Sequence, residues 1–320
     1  MWILLLILLM IAALLWASVS YFYKVAIKRT PKPMIIKNTE QMAGDKVVST
    51  SPDYSWIRAQ SPEQVEITSF DGLKLCGTWI PGKGKENKIV ILSHGYTGRG
   101  YEMAGFARFY IEELGFRVLM PDHRGHGASE GDYIGFGWHD RLDHVRWIDF
   151  VIEKWGEDSE ILLHGISMGA ASVLMASGEK LPSQVKGIVA DCAYTSVKDE
   201  LSYQMKQMFK LPSFPFLPLV SLYTRWKAGY RFWEASALKQ VKQTQLPILY
   251  IHGGEDTFVP TSMAHELYRE SAGDKYLYIV PEAAHGTSFL VDSEGYKRHI
   301  KDFVARYLGQ NTEIRTEKWL

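Results

Sequence analysis

The apolar and polar positions change rhythm twice along this chain. From residue 2 to residue 19 the sequence carries no charge and is almost wholly apolar. With Tyr21, Phe22 and Tyr23 taken as an interfacial aromatic belt, it reaches the roughly 20 residues that a bilayer-spanning helix needs. A cleaved signal peptide would carry its positive charge ahead of a shorter apolar stretch. Here Lys24, Lys28, Arg29, Lys32 and Lys37 all follow the span, so residues 1–23 read as a retained transmembrane anchor. Positive flanks tend to stay in the cytoplasm, which places the N-terminus outside and the large remaining part inside. Residues 24–62, polar and carrying several Pro, Ser and Thr, read as a tether.

From residue 65 the pattern becomes one of short apolar runs between turn signals. "VEITSFDGLKLCGTWI" alternates around an Asp-Gly pair, as a β-hairpin does. Six further runs, "KIVILSHG", "FRVLMPD", "EILLHGIS", "VKGIVADC", "LPILYIHG" and "KYLYIVPE", are nearly continuous in apolar residues, as parallel strands covered on both faces are. Helical periodicity falls at about 101–114, 139–155, 169–177, 261–270 and 293–307. A hairpin followed by alternating strands and helices predicts an α/β fold with a mostly parallel, doubly wound sheet over residues 63–320. The alternation breaks once, at about 197–245. That stretch is rich in aromatics and methionine and has prolines at 212, 215 and 218, and it is expected to form a cap inserted over the sheet.

Composition narrows the function classes. With 320 residues, 46% of them apolar, the chain can bury a large core. Its 36 basic and 36 acidic residues balance, which argues against a nucleic-acid partner. Neither Cys76 nor Cys192 lies in a Cys-x-x-Cys or Cys/His cluster, so both read as buried thiols, and no metal or organic cofactor is implied.

The chemistry concentrates at "LLHGISMGAAS", where Gly165-Ile166-Ser167-Met168-Gly169 matches G-x-S-x-G between an apolar strand and a run of small residues opening a helix. A side chain at 165 or 169 would collide with backbone in the sharp turn that projects the Ser167 hydroxyl. The same turn sets the Met168 N–H at a helix N-terminus, where partial positive charge can meet an oxyanion. A serine nucleophile needs a base. Of ten histidines, His94, His123, His126, His164 and His252 lie near strand ends, and His139, His144, His265 and His299 fall in helical segments. His285, in a loop after the last strand, is the candidate base. An acid must orient it. Asp256, in "YIHGGEDTFVP", is the candidate, with Glu255 beside it and Asp191 at another strand end as rivals. "ILSHGYTG" after the first parallel strand offers the Tyr96 N–H as a second oxyanion donor, with Gly95 allowing close approach. The "MPDHRGHGASEG" loop holds Asp122, His123, Arg124 and His126, and is expected to brace the neighbouring loop and not to react.

With "LSHGYTG", "DHRGHGASEG", "GISMG", "HGGEDTFVP" and "AAH" in that order over about residues 65–310, the chain resembles the α/β-hydrolase superfamily. More narrowly, it resembles bacterial membrane-anchored serine hydrolases of the serine aminopeptidase-like and monoacylglycerol-lipase-like kind. The resemblance implies Ser167 as nucleophile, Asp256 as acid, His285 as base, and the N–H groups of Tyr96 and Met168 as the oxyanion hole. The anchor and the apolar cap together favour a carboxylic ester of lipid origin as substrate. Aminopeptidase-like or thioesterase activity on the same residues, and a non-catalytic binding protein on a hydrolase fold, are the alternatives.

Overall fold

The structure is a computed structural model that describes residues 1–32, 54–82 and 87–308. An eight-stranded sheet organises it. The strands are β1 (Glu63–Thr68), β2 (Lys74–Ile80), β3 (Lys88–Ser93), β4 (Arg117–Pro121), β5 (Glu160–Ile166), β6 (Val185–Asp191), β7 (Ile248–Gly253) and β8 (Lys275–Val280), in spatial order β1-β2-β4-β3-β5-β6-β7-β8. β1 and β2 form the antiparallel hairpin, β2 lies antiparallel to β4, and every pairing from β4 to β8 is parallel. The fold class read from the alternation is therefore the one found.

Side chains of the central strands alternate between two cores. In β3, Ile89 and Ile91 join one core while Val90 and Leu92 join the other, all four fully buried. Burying each such side chain is worth about 1.5–3 kcal/mol, so a strand with no polar face is stable here because helices cover both sides. β8 departs from this reading: it is an edge strand, buried only in part until Val280.

The helices are α1 (Trp2–Phe22), α2 (Tyr54–Ala59), α3 (Ala104–Leu114), α4 (Asp140–Trp155), α5 (Met168–Ala176), α6 (Val197–Phe209), α7 (Phe216–Ala228), α8 (Ala237–Val241), α9 (Thr261–Glu270), α10 (Ser288–Val291) and α11 (Ser293–Tyr307). α6, α7 and α8 make up the inserted segment between β6 and β7. α6 starts on a Ser196 side chain that accepts from the Asp199 amide, and ends at Lys210 in the left-handed region. α1 continues as a π-helical turn over Tyr23–Ile27, and this N-terminal helix is long and apolar enough to cross a membrane.

The tether expected over residues 24–62 needs correction in its described part. Ile27 is fully buried, and its carbonyl accepts the Ile134 amide at 2.7 Å. The Arg29 guanidinium donates to the Gly127, Ser129 and Gly131 carbonyls. Further on, α2 buries Trp56 and Ile57 in the second core, and the Trp56 indole donates to Glu112 at 2.8 Å. Residues 33–53 of the expected tether lie outside the described residues.

Candidate active site

Ser167 sits at the β5–α5 junction with φ 55° and ψ −117°, a conformation that a non-glycine residue holds only when its surroundings over-determine it. The surroundings are visible. A Cβ on Gly165 would lie 2.3 Å from the Gly169 carbonyl oxygen, and one on Gly169 would lie 2.1 Å from that of Ser93. The Ser167 amide is tied to the Asp191 carbonyl at 2.8 Å, so β6 holds the turn from the other side.

Two loops at the carboxyl ends of β7 and β8 deliver the other groups. They are stitched together by Gly254 N–H to the Val280 carbonyl at 2.7 Å and Glu255 N–H to the Ala283 carbonyl at 3.0 Å. This brings His285 Nδ1 to 2.7 Å from Asp256 Oδ2, and His285 Nε2 to 2.9 Å from Ser167 Oγ. A carboxylate facing Nδ1 puts the ring proton there, which leaves Nε2 to accept from the serine hydroxyl. Asp256 Oδ1 accepts the Phe258 and Val259 amides, both at 2.9 Å, and His252 Nε2 lies 3.2 Å from Oδ2. Burial alone would push the Asp256 pKa up. The facing His285 and the hydrogen bonds from His252 and His285 outweigh burial and hold the carboxyl well below its usual range. Burial likewise opposes protonation of His285, but the charge and hydrogen bond of Asp256 prevail and raise its pKa above the ordinary imidazole value.

The rivals are placed elsewhere. Glu255 is exposed. The Asp191 carboxyl accepts from Tyr296 at 3.0 Å, and burial pushes its pKa up to about 6. His164 is held between the Tyr110 and Tyr296 hydroxyls.

The Tyr96 amide follows Gly95, whose position for a Cβ is 3.6 Å from Ser167 Cβ. His94 aims it. Its Nε2 accepts the His123 amide at 3.0 Å, so Nδ1 bears the proton and donates to the Gly95 carbonyl at 2.8 Å. In a trans peptide the carbonyl and the next N–H point in opposite directions, so fixing the Gly95 oxygen fixes the direction of the Tyr96 N–H. Burial keeps His94 neutral, with a pKa well below the ordinary value. Met168 opens α5, where helical N–H groups have no intrahelical acceptor.

The 120–131 loop braces this arrangement. Asp122 accepts the Gly100 amide at 2.7 Å and the Ala128 amide at 2.8 Å. His126 Nε2 accepts the Thr97 amide at 3.2 Å, and Arg124, fully buried, is paired with Asp143 and Asp71.

Above Ser167 lies an apolar pocket with walls that include Phe136, Met205, Met208, Leu217, Phe232 and Phe258. Among the described residues its one acid is Glu200 of α6, which the aromatic character of the cap concealed in the sequence. Glu200 Oε1 accepts from Gln204 at 2.9 Å while Oε2 has no hydrogen-bond partner among the described residues, and burial raises its pKa to about 8. Cys192, Asp256 and His285 present ligand-type atoms within 4.8 Å of one another. They suit a metal poorly, because His285 Nδ1 is committed to Asp256 and burial holds Cys192 as a thiol.

Comparison with known proteins agrees with this architecture. The model of the family described as serine aminopeptidase, S33, matches residues 84–221. The Bacillus subtilis protein YqkD is 29% identical over 250 residues, 77% of this chain and 81% of its own. The Saccharomyces cerevisiae membrane protein YNL320W is 24% identical over 248 residues, 76% of this chain and 79% of its own. Among solved structures, the Pyrococcus furiosus esterase Pf2001 superposes with a TM-score of 0.64 at 28% identity, covering 79% of this chain and 96% of that one. These likenesses support the α/β-hydrolase superfamily and, within it, a serine hydrolase.

Proposed function

We propose that this protein hydrolyses carboxylic esters with apolar acyl chains through Ser167, His285 and Asp256. The observation that carries the reading is the hydrogen-bonded line from Asp256 through His285 to Ser167, at 2.7 and 2.9 Å, on the floor of an apolar pocket. Ser167 Oγ attacks the ester carbonyl carbon while its proton passes to His285 Nε2. Negative charge gathers on the former carbonyl oxygen, facing the Tyr96 and Met168 amides. One such donor is worth roughly 10²–10³ in rate. The C–O bond to the alcohol breaks and the alcohol leaves with the proton from His285. Water, deprotonated by His285, then attacks the acyl-serine, and the acid departs.

The likeness to an esterase supports the ester over other acyl substrates. The N-terminal helix supports attachment to a membrane, and the basic residues after it favour the cytoplasmic face. One observation favours a second reading: Glu200 is an acid in the pocket of the serine, and an aminopeptidase-like enzyme needs an acid to receive a substrate amine. p-Nitrophenyl esters of increasing acyl length should be assayed beside aminoacyl p-nitroanilides. Faster hydrolysis of esters, rising with chain length, is expected. Preference for the anilides would replace the ester reading with the second one. Digestion of the hydrolase domain by protease added to intact cells would refute the cytoplasmic placement.

A further inference from the structure

The N-terminal helix does not stop at the edge of the hydrolase body. Its last residues and the π-helical turn carry Phe22, Val25 and Ala26 into the wall of the pocket above Ser167. The Ala26 carbonyl accepts the Tyr96 hydroxyl at 2.7 Å, and the Tyr96 ring stacks on Phe136 of the same pocket at 5.0 Å. The residue whose amide faces the developing oxyanion is thus held by its side chain to the anchor.

The cap runs along the same helix. Phe22 meets Phe209 of α6 at 5.1 Å and Phe216 of α7 at 6.0 Å. Tyr223 of α7 meets both Tyr23, at 5.0 Å, and Trp16, at 5.4 Å. Trp16 lies roughly two helical turns, about 10 Å, back into the apolar span. α7 therefore lies beside residues that a bilayer would surround. On α7 and the turn before it, Phe214, Leu222 and Trp226 are 77%, 55% and 69% exposed. An apolar set left outside in this way suits a lipid surface and not water.

The geometry points to the anchor as part of the substrate site: Phe22, Val25 and Ala26 form a wall for the acyl chain, and the substrate is a lipid ester whose chain passes from the bilayer along the seam between anchor and cap. This inference rests on the serine-esterase reading above. An acyl chain following that seam keeps apolar surface on every side and never crosses water.

The test uses the full-length protein in lipid nanodiscs, with p-nitrophenyl acetate and p-nitrophenyl decanoate as probes and fluorophosphonate labelling as the count of competent serines. Val25→Trp narrows the pocket and is expected to lower the decanoate-to-acetate ratio of kcat/KM by tenfold or more. Phe22→Ala widens the pocket and is expected to change the ratio in the opposite sense. Leu6→Trp, at the far and exposed end of the helix, is expected to leave it unaltered. Wild-type ratios in both Val25→Trp and Phe22→Ala, with labelling intact, would overturn the anchor wall while the esterase reading stands. A wild-type protein that neither labels nor hydrolyses either ester would overturn the esterase reading and this inference with it.

Discussion

The Asp256 carboxylate faces the His285 imidazole at 2.7 Å, Oδ2 to Nδ1, and this one contact sets both the ring tautomer and the charge balance of the site. Asp256→Asn turns an acceptor into a group that can no longer hold the proton on Nδ1. A fall in kcat of roughly 10⁴ is expected with KM little changed, measured by steady-state hydrolysis of a p-nitrophenyl ester.

The same contact fixes a pH dependence. In the proposed reaction His285 accepts the serine proton as neutral imidazole, and its pKa is raised above the ordinary value near 6.5. Activity should therefore be lost as pH falls through a point above that value. In Asp256→Asn the attraction that raises the pKa is gone while burial remains, so the acid limb should move to lower pH. The kcat/KM profiles of the two proteins check the sign, and a limb that stays in place or moves up would contradict it.

In the proposed reaction His94 does not touch substrate. It acts by pinning the Gly95 carbonyl and so aiming the Tyr96 amide. His94→Ala should lower kcat by about 10- to 10³-fold, approaching the loss of one oxyanion donor, with a much smaller change in KM. Equal losses in 1/KM and kcat would mean that the residue serves the pocket instead.

Glu200 carries its own pH signature. With its pKa raised to about 8, it is neutral at pH 7 and becomes a charge in an apolar pocket only above that value. The KM for a long-chain ester should rise as pH passes about 8 in the wild type and stay flatter in Glu200→Gln. A charged amine substrate should show the reverse, weakening sharply in Glu200→Gln.

Gly169 is a stability prediction. A methyl group there would lie 2.1 Å from the Ser93 carbonyl oxygen, which belongs to β3 and cannot swing away as a side chain can. Gly169→Ala should destabilise the protein by about 3 kcal/mol, read from the denaturant midpoint, together with loss of serine labelling.

The sheet, the elbow and the three polar residues that meet on it were legible because each rests on a local pattern: continuous apolar runs, glycines flanking Ser167, and polar loops after β7 and β8. Residues 24–32 were not, because Lys24, Lys28 and Arg29 look like a solvated flank. In the fold the acceptors of Arg29 are backbone carbonyls at 127, 129 and 131, which no side-chain pattern announces. Glu200 was hidden for a related reason: beside Asp199 at the start of an amphipathic, aromatic-rich segment it has no pattern to mark it as buried, and only the packing of α6 over Ser167 buries it. His252 was visible at a strand end, but its approach to Asp256 at 3.2 Å depends on how the following loop turns back.

The most direct test of the central claim is the site of attack by a fluorophosphonate on the folded full-length protein, located by peptide mass spectrometry. One adduct is expected, on Ser167, absent in Ser167→Ala and formed far more slowly in His285→Ala. An adduct on any other residue, or none on protein shown to be folded, would contradict it.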